Sequence, residues 1–266
     1  MDHRSVFIAL RQSPDWKSLT YADFEKQTVE FCRLIMRPTD FTWRVVKLWD
    51  DTFSASFFAT RQRMKEIAQA NLAAIVDVRI VHSARLAEIK VQAQDIVCFV
   101  DDDDWFHPNL GSPLRQMDLE DVDAVFWDHC FFGREEGAGL MVQPASSSLV
   151  YTNNYAVTGS CLSKLGIEAV EQHWIATESL KNTRFQHIPG NWGMTNKHPA
   201  STVMLEKVLA DDFSGRALAA AVDSFIQRTE DALADVPPAF SWAERSMQEA
   251  IAFYRQLRTT AKLDAR

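Results

Sequence analysis

The chain is short of cysteine, of positive charge and of long apolar runs, and each shortage removes a class of function. Only four cysteines occur in 266 residues, Cys32, Cys98, Cys130 and Cys161, and no two stand in a Cys-X-X-Cys spacing. Their scatter excludes a cysteine zinc cluster and a thioredoxin-like pair, and it suits free, buried thiols in a reducing compartment. Lysine and arginine number 28 against 36 aspartates and glutamates, a formal net charge of −8. A nucleic-acid backbone asks for a basic surface, so nucleic acid is excluded as a partner. A small nucleotide is not excluded, because a metal ion can screen the acids. No apolar run approaches the roughly 20 residues that cross a bilayer as a helix, and residues 6–10 are too few for the core of a secretion signal. The expectation is a cytoplasmic protein with no transmembrane segment. Internal repeats are absent, as is the Asp-X-Asp-X-Asp-Gly loop of an EF-hand.

What the chain does hold is one unusual stretch. Ile96-Val97-Cys98-Phe99-Val100 runs directly into Asp101-Asp102-Asp103-Asp104, then Trp105-Phe106-His107-Pro108. A continuous apolar run rich in β-branched and aromatic residues reads as a buried strand of a parallel sheet, and Pro108 breaks the pattern. The four acids therefore fall at the carboxyl end of a strand, where open α/β sheets place ligands. Adjacent carboxylates repel, and a buried one without a partner is costly. A hard divalent cation taking one or two carboxylates plus substrate phosphates would offset that cost. In an extended segment Asp101 and Asp103 point one way and Asp102 and Asp104 the other. The plainer alternative is a solvated acidic turn with an Asp capping the next helix.

Asp101, Asp103, Asp104, Trp105 and Pro108, on an apolar strand, make a segment that resembles the DXD motif of GT-A glycosyltransferases, in the style of bacterial rhamnosyltransferase-like proteins. The specific likeness covers residues 96–108, and a looser likeness in the order of elements extends over roughly residues 1–200. The resemblance implies an α/β fold, GT-A-like (Rossmann-like), with a mostly parallel central sheet flanked by helices. It implies metal-dependent transfer of a sugar from a nucleotide-diphosphate sugar to a hydroxyl acceptor, such as a bacterial surface glycan, with Mn²⁺ or Mg²⁺. Asp101 and Asp103 are then expected on the metal, and Asp101 and Asp102 against the donor nucleotide. His198, with His187 as second choice, would complete the metal site.

The rest of the chain alternates strand and helix patterns, as a parallel α/β protein does. Residues 6–10 predict the first strand, with Arg11 at its carboxyl end as a donor contact or a solvated surface charge. Residues 21–36 predict a helix and residues 43–51 a second strand. Asp50 there would meet the donor base or ribose, and Asp51 would cap the following helix. Residues 54–75 give the clearest helix, with Arg61, Arg63 and Lys65 on it. Residues 76–81 predict a strand and 84–92 a helix. Residues 122–132 form another apolar run, interrupted by Asp128 and His129, which either pair structurally or serve a site. Residues 133–148 predict a flexible loop that could act as a lid.

Residues 151–162 are rich in hydroxyls beside a glycine, and Thr158, Gly159 and Ser160 are expected to meet the donor sugar. Residues 163–180 predict a helix carrying Glu178. Residues 187–201 are poor in repeating structure and hold Lys197, a point charge suited to a diphosphate, beside His198. An inverting enzyme would need a base for the acceptor hydroxyl, and Asp128 and Glu178 are its candidates. The catalytic domain is expected over residues 1–201. Residues 202–266 form a helical extension that packs on the core or on a second subunit, which would make a homodimer. Two other readings fit a strand ending in acids: a haloacid-dehalogenase-like phosphatase with Asp211 and Asp212 as its downstream metal pair, and a non-catalytic protein that binds divalent metal.

Overall fold

A computed structural model describes residues 4–11, 52–134, 139–146, 150–199, 201 and 215–260. The helix expected at 21–36, the strand at 43–51 with Asp50, and Asp211 and Asp212 lie outside the described residues. Within them the chain forms β1 (Val6–Arg11), α1 (Thr52–Ala73), β2 (Arg79–His82), β3 (Ile96–Asp101), β4 (Trp105–Phe106) and α2 (Gly111–Gln116). There follow β5 (Ala124–Phe132), β6 (Leu140–Gln143), β7 (Tyr155–Thr158), α3 (Gly159–Leu165), α4 (His173–Leu180) and β8 (Phe185–Asn196). Two long helices close the chain, α5 (Gly215–Ala234) and α6 (Glu244–Thr260).

The strands make one sheet in the order β2-β1-β3-β7-β5-β8-β4, with β6 added to β5. The α/β class is as expected, but the sheet is mixed rather than mostly parallel. The β1–β2, β1–β3 and β5–β8 ladders are parallel, whereas β3–β7, β5–β7, β5–β6 and β4–β8 are antiparallel. The difference has a local cause. An apolar run says that a strand is buried on both faces; it does not say which way the strand runs. β7 is such a run, all four of its residues buried, and it enters between β3 and β5 pointing backwards.

β3 shows why the centre of the sheet holds. Ile96, Cys98 and Val100 enter one apolar cluster with Val6, Ile8, Leu72 and Trp127, while Val97 and Phe99 enter another with Phe7, Ala9, Phe126 and Tyr155. The period of two splits one strand between two cores. A third cluster joins α1 (Met64, Ile67), α5 (Val222, Phe225) and α6 (Met247, Ile251, Tyr254) to Trp105, Phe132 and Met194 of the sheet. The apolar stripe of α6 is therefore packed against the same chain's sheet and α1. None of the helices among the described residues is long and apolar enough to cross a membrane.

Glycine and proline account for most departures from the expected elements. Gly166, at φ +83°, ends α3, so the single helix over 163–180 becomes α3, a 3₁₀ turn and α4. Residues 84–92 form only a 3₁₀ turn, Ser83–Glu88. Part of the expected lid is a strand, because β6 pairs with β5 and Gly133 donates to the Gly139 carbonyl at 2.8 Å to close the hairpin. The irregular loop expected from residue 187 is a strand as far as Asn196. Its pairing with β5 slips on either side of Asp128, and Pro189 and Gly190 fall inside that slip, where a missing N–H and a φ of +114° are tolerated.

Candidate functional site

Parallel pairing brings β1 and β3 to a common end. Arg11 is the register partner of Asp101, and its Nη1 lies 2.8 Å from the Asp101 carboxylate and donates to Thr152 Oγ1 at 3.2 Å. Beyond Asp101 the backbone does not stay extended. The Asp104 N–H donates to the Asp101 carbonyl at 3.2 Å, which makes the quartet a tight turn. The expected alternation survives as burial: Asp102 and Asp104 are buried, while Asp101 and Asp103 are partly exposed.

Each acid meets a different partner. Lys65 of α1 reaches Asp102 at 2.9 Å. His198 Nε2 lies 3.1 Å from Asp103 Oδ2, and Arg61 of α1 stands 4.0 Å from the same oxygen. Asp104 accepts from the Asn196 N–H at 2.9 Å, from Asn153 Nδ2 at 3.3 Å and from Thr195 Oγ1 at 3.4 Å. Arg61 and Lys65 are four residues apart, so α1 presents both on one face. Asn71, further along α1, grips Phe106 of β4 through both its N–H and its carbonyl. That pair of hydrogen bonds holds the helix in register with the acidic turn.

The charges are unequal. Burial raises the proton affinity of Asp103, but the His198 hydrogen bond and the Arg61, His198 and Lys197 charges overcome it and hold the carboxyl below its usual range. Burial, followed by the charges of Asp103 and Asp101, pushes Asp104 well above that range, against the pull of Lys197 and the Asn196 N–H. Burial outweighs the Asp103 hydrogen bond at His198 and keeps the imidazole below its ordinary value. An ionised Asp103 offers only lone pairs, so His198 Nε2 carries the hydrogen and Nδ1 accepts from Tyr254, whose Oη is 3.0 Å away.

A second ring of residues surrounds the first, and of its members the sequence had offered only His129. Thr152 joins Arg11 to His173 Nδ1, at 3.2 Å from each. Burial and the Arg11 and Lys197 charges, against Asp101, bring His173 down to about 4. Asn153 touches Asp104, and its carbonyl accepts from the Trp127 indole at 2.9 Å. Gly193 makes room for that backbone crossing, since a Cβ there would lie 2.1 Å from the Asn153 carbonyl oxygen. His129 is fully buried, with Nε2 at 2.7 Å from Thr195 Oγ1 and Nδ1 unpartnered. Burial, then Lys197, His173 and Arg134, hold it far below the ordinary histidine value. The polar residues just before β7 were visible in the sequence, but the expectation settled on the wrong end of that segment.

Thr158, Gly159 and Ser160 do not join the site. Thr158 pairs with Ile96, five residues before Asp101, which at strand rise is about 17 Å away. Thr158 caps α3 by accepting from the Cys161 N–H, and Gly159 is needed because a Cβ would strike the Gln92 carbonyl at 1.9 Å. Glu178 is 74% exposed and pairs with Lys181 on the outer face of α4. Asp128 accepts from the Ala145 N–H at 3.0 Å and pairs with His187 at 3.2 Å, so neither the expected base nor the second-choice metal histidine contacts the acidic turn. Lys197 does bear on it, through its charge at Asp103, Asp104, His129, His173 and His198.

No protein-family model matches the chain, and no curated protein is significantly similar to it. The residues themselves must decide what the site fits. Among the described residues no three His, Cys, Asp or Glu side chains stand together as a ready metal cluster. Of the three expected ligands, Asp103 and His198 meet and Asp101 is turned to Arg11. Two protein ligands suit a cation that also binds substrate phosphates and water. The Asn196 Oδ1 and Ser201 Oγ atoms, on either side of His198 in the chain, are buried without a hydrogen-bond partner, so donor oxygens remain on this segment.

Proposed function

We propose that the chain is a metal-dependent glycosyltransferase that moves a sugar from a nucleotide-diphosphate sugar to a hydroxyl acceptor, such as a bacterial surface glycan. The observation that carries this reading is the meeting of Asp103 with His198, 95 residues on, in an acidic turn at the shared end of β1 and β3. That is the place where open α/β sheets receive nucleotides, and Arg11, Arg61, Lys65 and Lys197 supply positive charge around it. Asp103 and His198 would hold Mn²⁺ or Mg²⁺, which when bound neutralises the charge of the leaving diphosphate. Lys197 adds a point charge toward the diphosphate, and Arg11 and Asp101 sit where the nucleoside enters. The GT-A-like reading of the sheet belongs to this proposal. So does a cytoplasmic location, which three buried free thiols, Cys98, Cys130 and Cys161, suit.

Donor cleavage tests the reading. Incubation with a panel of nucleotide-diphosphate sugars, with and without Mn²⁺, is expected to release one nucleoside diphosphate in the metal-containing reactions only. Orthophosphate from a monoester would favour the phosphatase reading. Metal binding with no turnover of any donor would leave a binding protein.

A further inference from the structure

Tyr254 of the last described helix meets His198, the partner of Asp103 in the acidic turn. Tyr254 of α6 is 1% exposed and His198 is 0% exposed, and their Oη and Nδ1 atoms lie 3.0 Å apart. The other ring nitrogen of His198 faces Asp103 at 3.1 Å. Tyr254 is itself fixed, its ring 4.9 Å from that of Phe225 and 5.7 Å from that of Phe253. Glu249, one and a half turns earlier on α6, pairs with Arg63 of α1 at 3.0 Å. α1 is the helix that carries Arg61 and Lys65 to the acids. The two helices therefore brace both sides of the same turn.

We propose that Tyr254 is a positioning residue for His198, and that its hydroxyl permits the ring to exchange tautomers when a divalent cation binds at Asp103. The proposal rests on the cation reading given above. With Asp103 ionised, the ring hydrogen sits on Nε2 and Nδ1 must accept, which the Tyr254 O–H serves by donating. When Nε2 gives its lone pair to a cation, its proton passes to solvent water and one proton returns from solvent to Nδ1, so none is gained or lost overall. The ring stays neutral, Asp103 stays a carboxylate, and the hydroxyl turns from donor to acceptor. A hydroxyl does both from one place; a backbone carbonyl or an amide N–H would hold the ring in one tautomer. Outer partners of this kind typically change metal affinity about 10- to 100-fold when removed.

The test uses the full chain and two readouts. Ring ¹⁵N spectra of the metal-free protein, with the His198 signal identified by its loss in His198→Gln, are expected to show Nε2 as N–H and Nδ1 as a hydrogen-bonded acceptor. Tyr254→Phe keeps the ring among its core neighbours and is expected to move the Nδ1 resonance to that of an unbonded nitrogen. Calorimetric titration with Mn²⁺ alone is expected to show affinity about 10- to 100-fold lower in Tyr254→Phe than in the parent chain. Equal Mn²⁺ affinity in the two proteins, or an Nδ1 signal in the parent that is not hydrogen-bonded, overturns the role of Tyr254. Failure of the parent chain to bind Mn²⁺ while the Nδ1 signal is hydrogen-bonded sinks the cation reading, and the tautomer exchange with it.

Discussion

The two ends of β3 are both polar, yet their polar groups do different work. At the amino end side chains serve the backbone. Asp95 accepts from the Ser5 and Gln92 N–H groups at 2.8 and 2.7 Å. Arg4 donates to the carbonyls of Gln94, Leu114, Arg115 and Met117, and Thr158 caps α3. At the carboxyl end side chains mostly serve other side chains: Asp101 with Arg11, Asp102 with Lys65, Asp103 with His198. A side chain that satisfies backbone groups holds the fold, because its loss strands a buried donor or acceptor. A side chain paired with another can exchange that partner for a ligand. Polarity at a strand end is thus common to both, and the identity of the partner separates the end that serves the backbone from the candidate site.

The sharpest way to break this comparison is to delete one acid from each end. Asp103→Ala is expected to abolish metal-dependent release of nucleoside diphosphate while the thermal melt still shows a folded protein. Asp95→Ala is expected to do the reverse, lowering stability by about 1–3 kcal/mol in urea titrations, since the part-buried Ser5 and Gln92 N–H groups lose a charged acceptor. Retained turnover in the first, or an unmoved urea midpoint in the second, would erase the distinction.

Acid should weaken the carboxyl end selectively. His173 is depressed to about 4 by burial, in part against Asp101, and His129 lies far below its ordinary value. Both are neutral in the fold and titrate near 6.5 when unfolded, so the unfolded chain binds more protons between those values. Their contribution is whole above about pH 6.5 and is lost as pH falls toward 4. Asp104, raised in the fold, acts with the opposite sign. Melting temperature is therefore expected to fall from pH 7 to pH 4.5, and His173→Asn to fall less steeply than the parent. Parallel curves would count against a neutral His173.

Smaller effects sharpen the same contrast. Thr158→Ala removes a helix cap and should cost about 1 kcal/mol with donor turnover unchanged, whereas a sugar contact there would raise KM. Glu178→Gln, on the exposed face of α4, should change stability by less than about 0.5 kcal/mol and leave turnover as it was. Loss of activity in Glu178→Gln would restore it as a candidate base.

Much of the carboxyl end was legible in the sequence, for physical reasons. β3 announced itself as an apolar run ending in four acids, and the charge cluster demanded partners before any were known. The helix α1 and the helical character of residues 202–266 followed from periodicity. His198 could be named only through the resemblance to GT-A glycosyltransferases, which implies a histidine from this part of the chain. What could not be read was strand direction. β7 is an apolar run that looks the same forwards and backwards, and taking its far end for the site moved the expectation from Thr152 and Asn153 to Thr158, Gly159 and Ser160. Asn153, Thr195 and Asn196 were hidden for a related reason, since their partner Asp104 is separated from them by 49 to 92 residues. Glu178 failed because an acid in a helix of unknown orientation carries no information about its face.

On the proposed reading the acidic turn exchanges its internal partners for a cation and a diphosphate. Calorimetric titration of the unmutated chain with each common nucleoside diphosphate, in Mn²⁺ and again in chelator, tests it most directly. The account predicts saturable, one-to-one binding of one nucleoside diphosphate that disappears with the metal. Equal binding in chelator, or none in either condition, would contradict it.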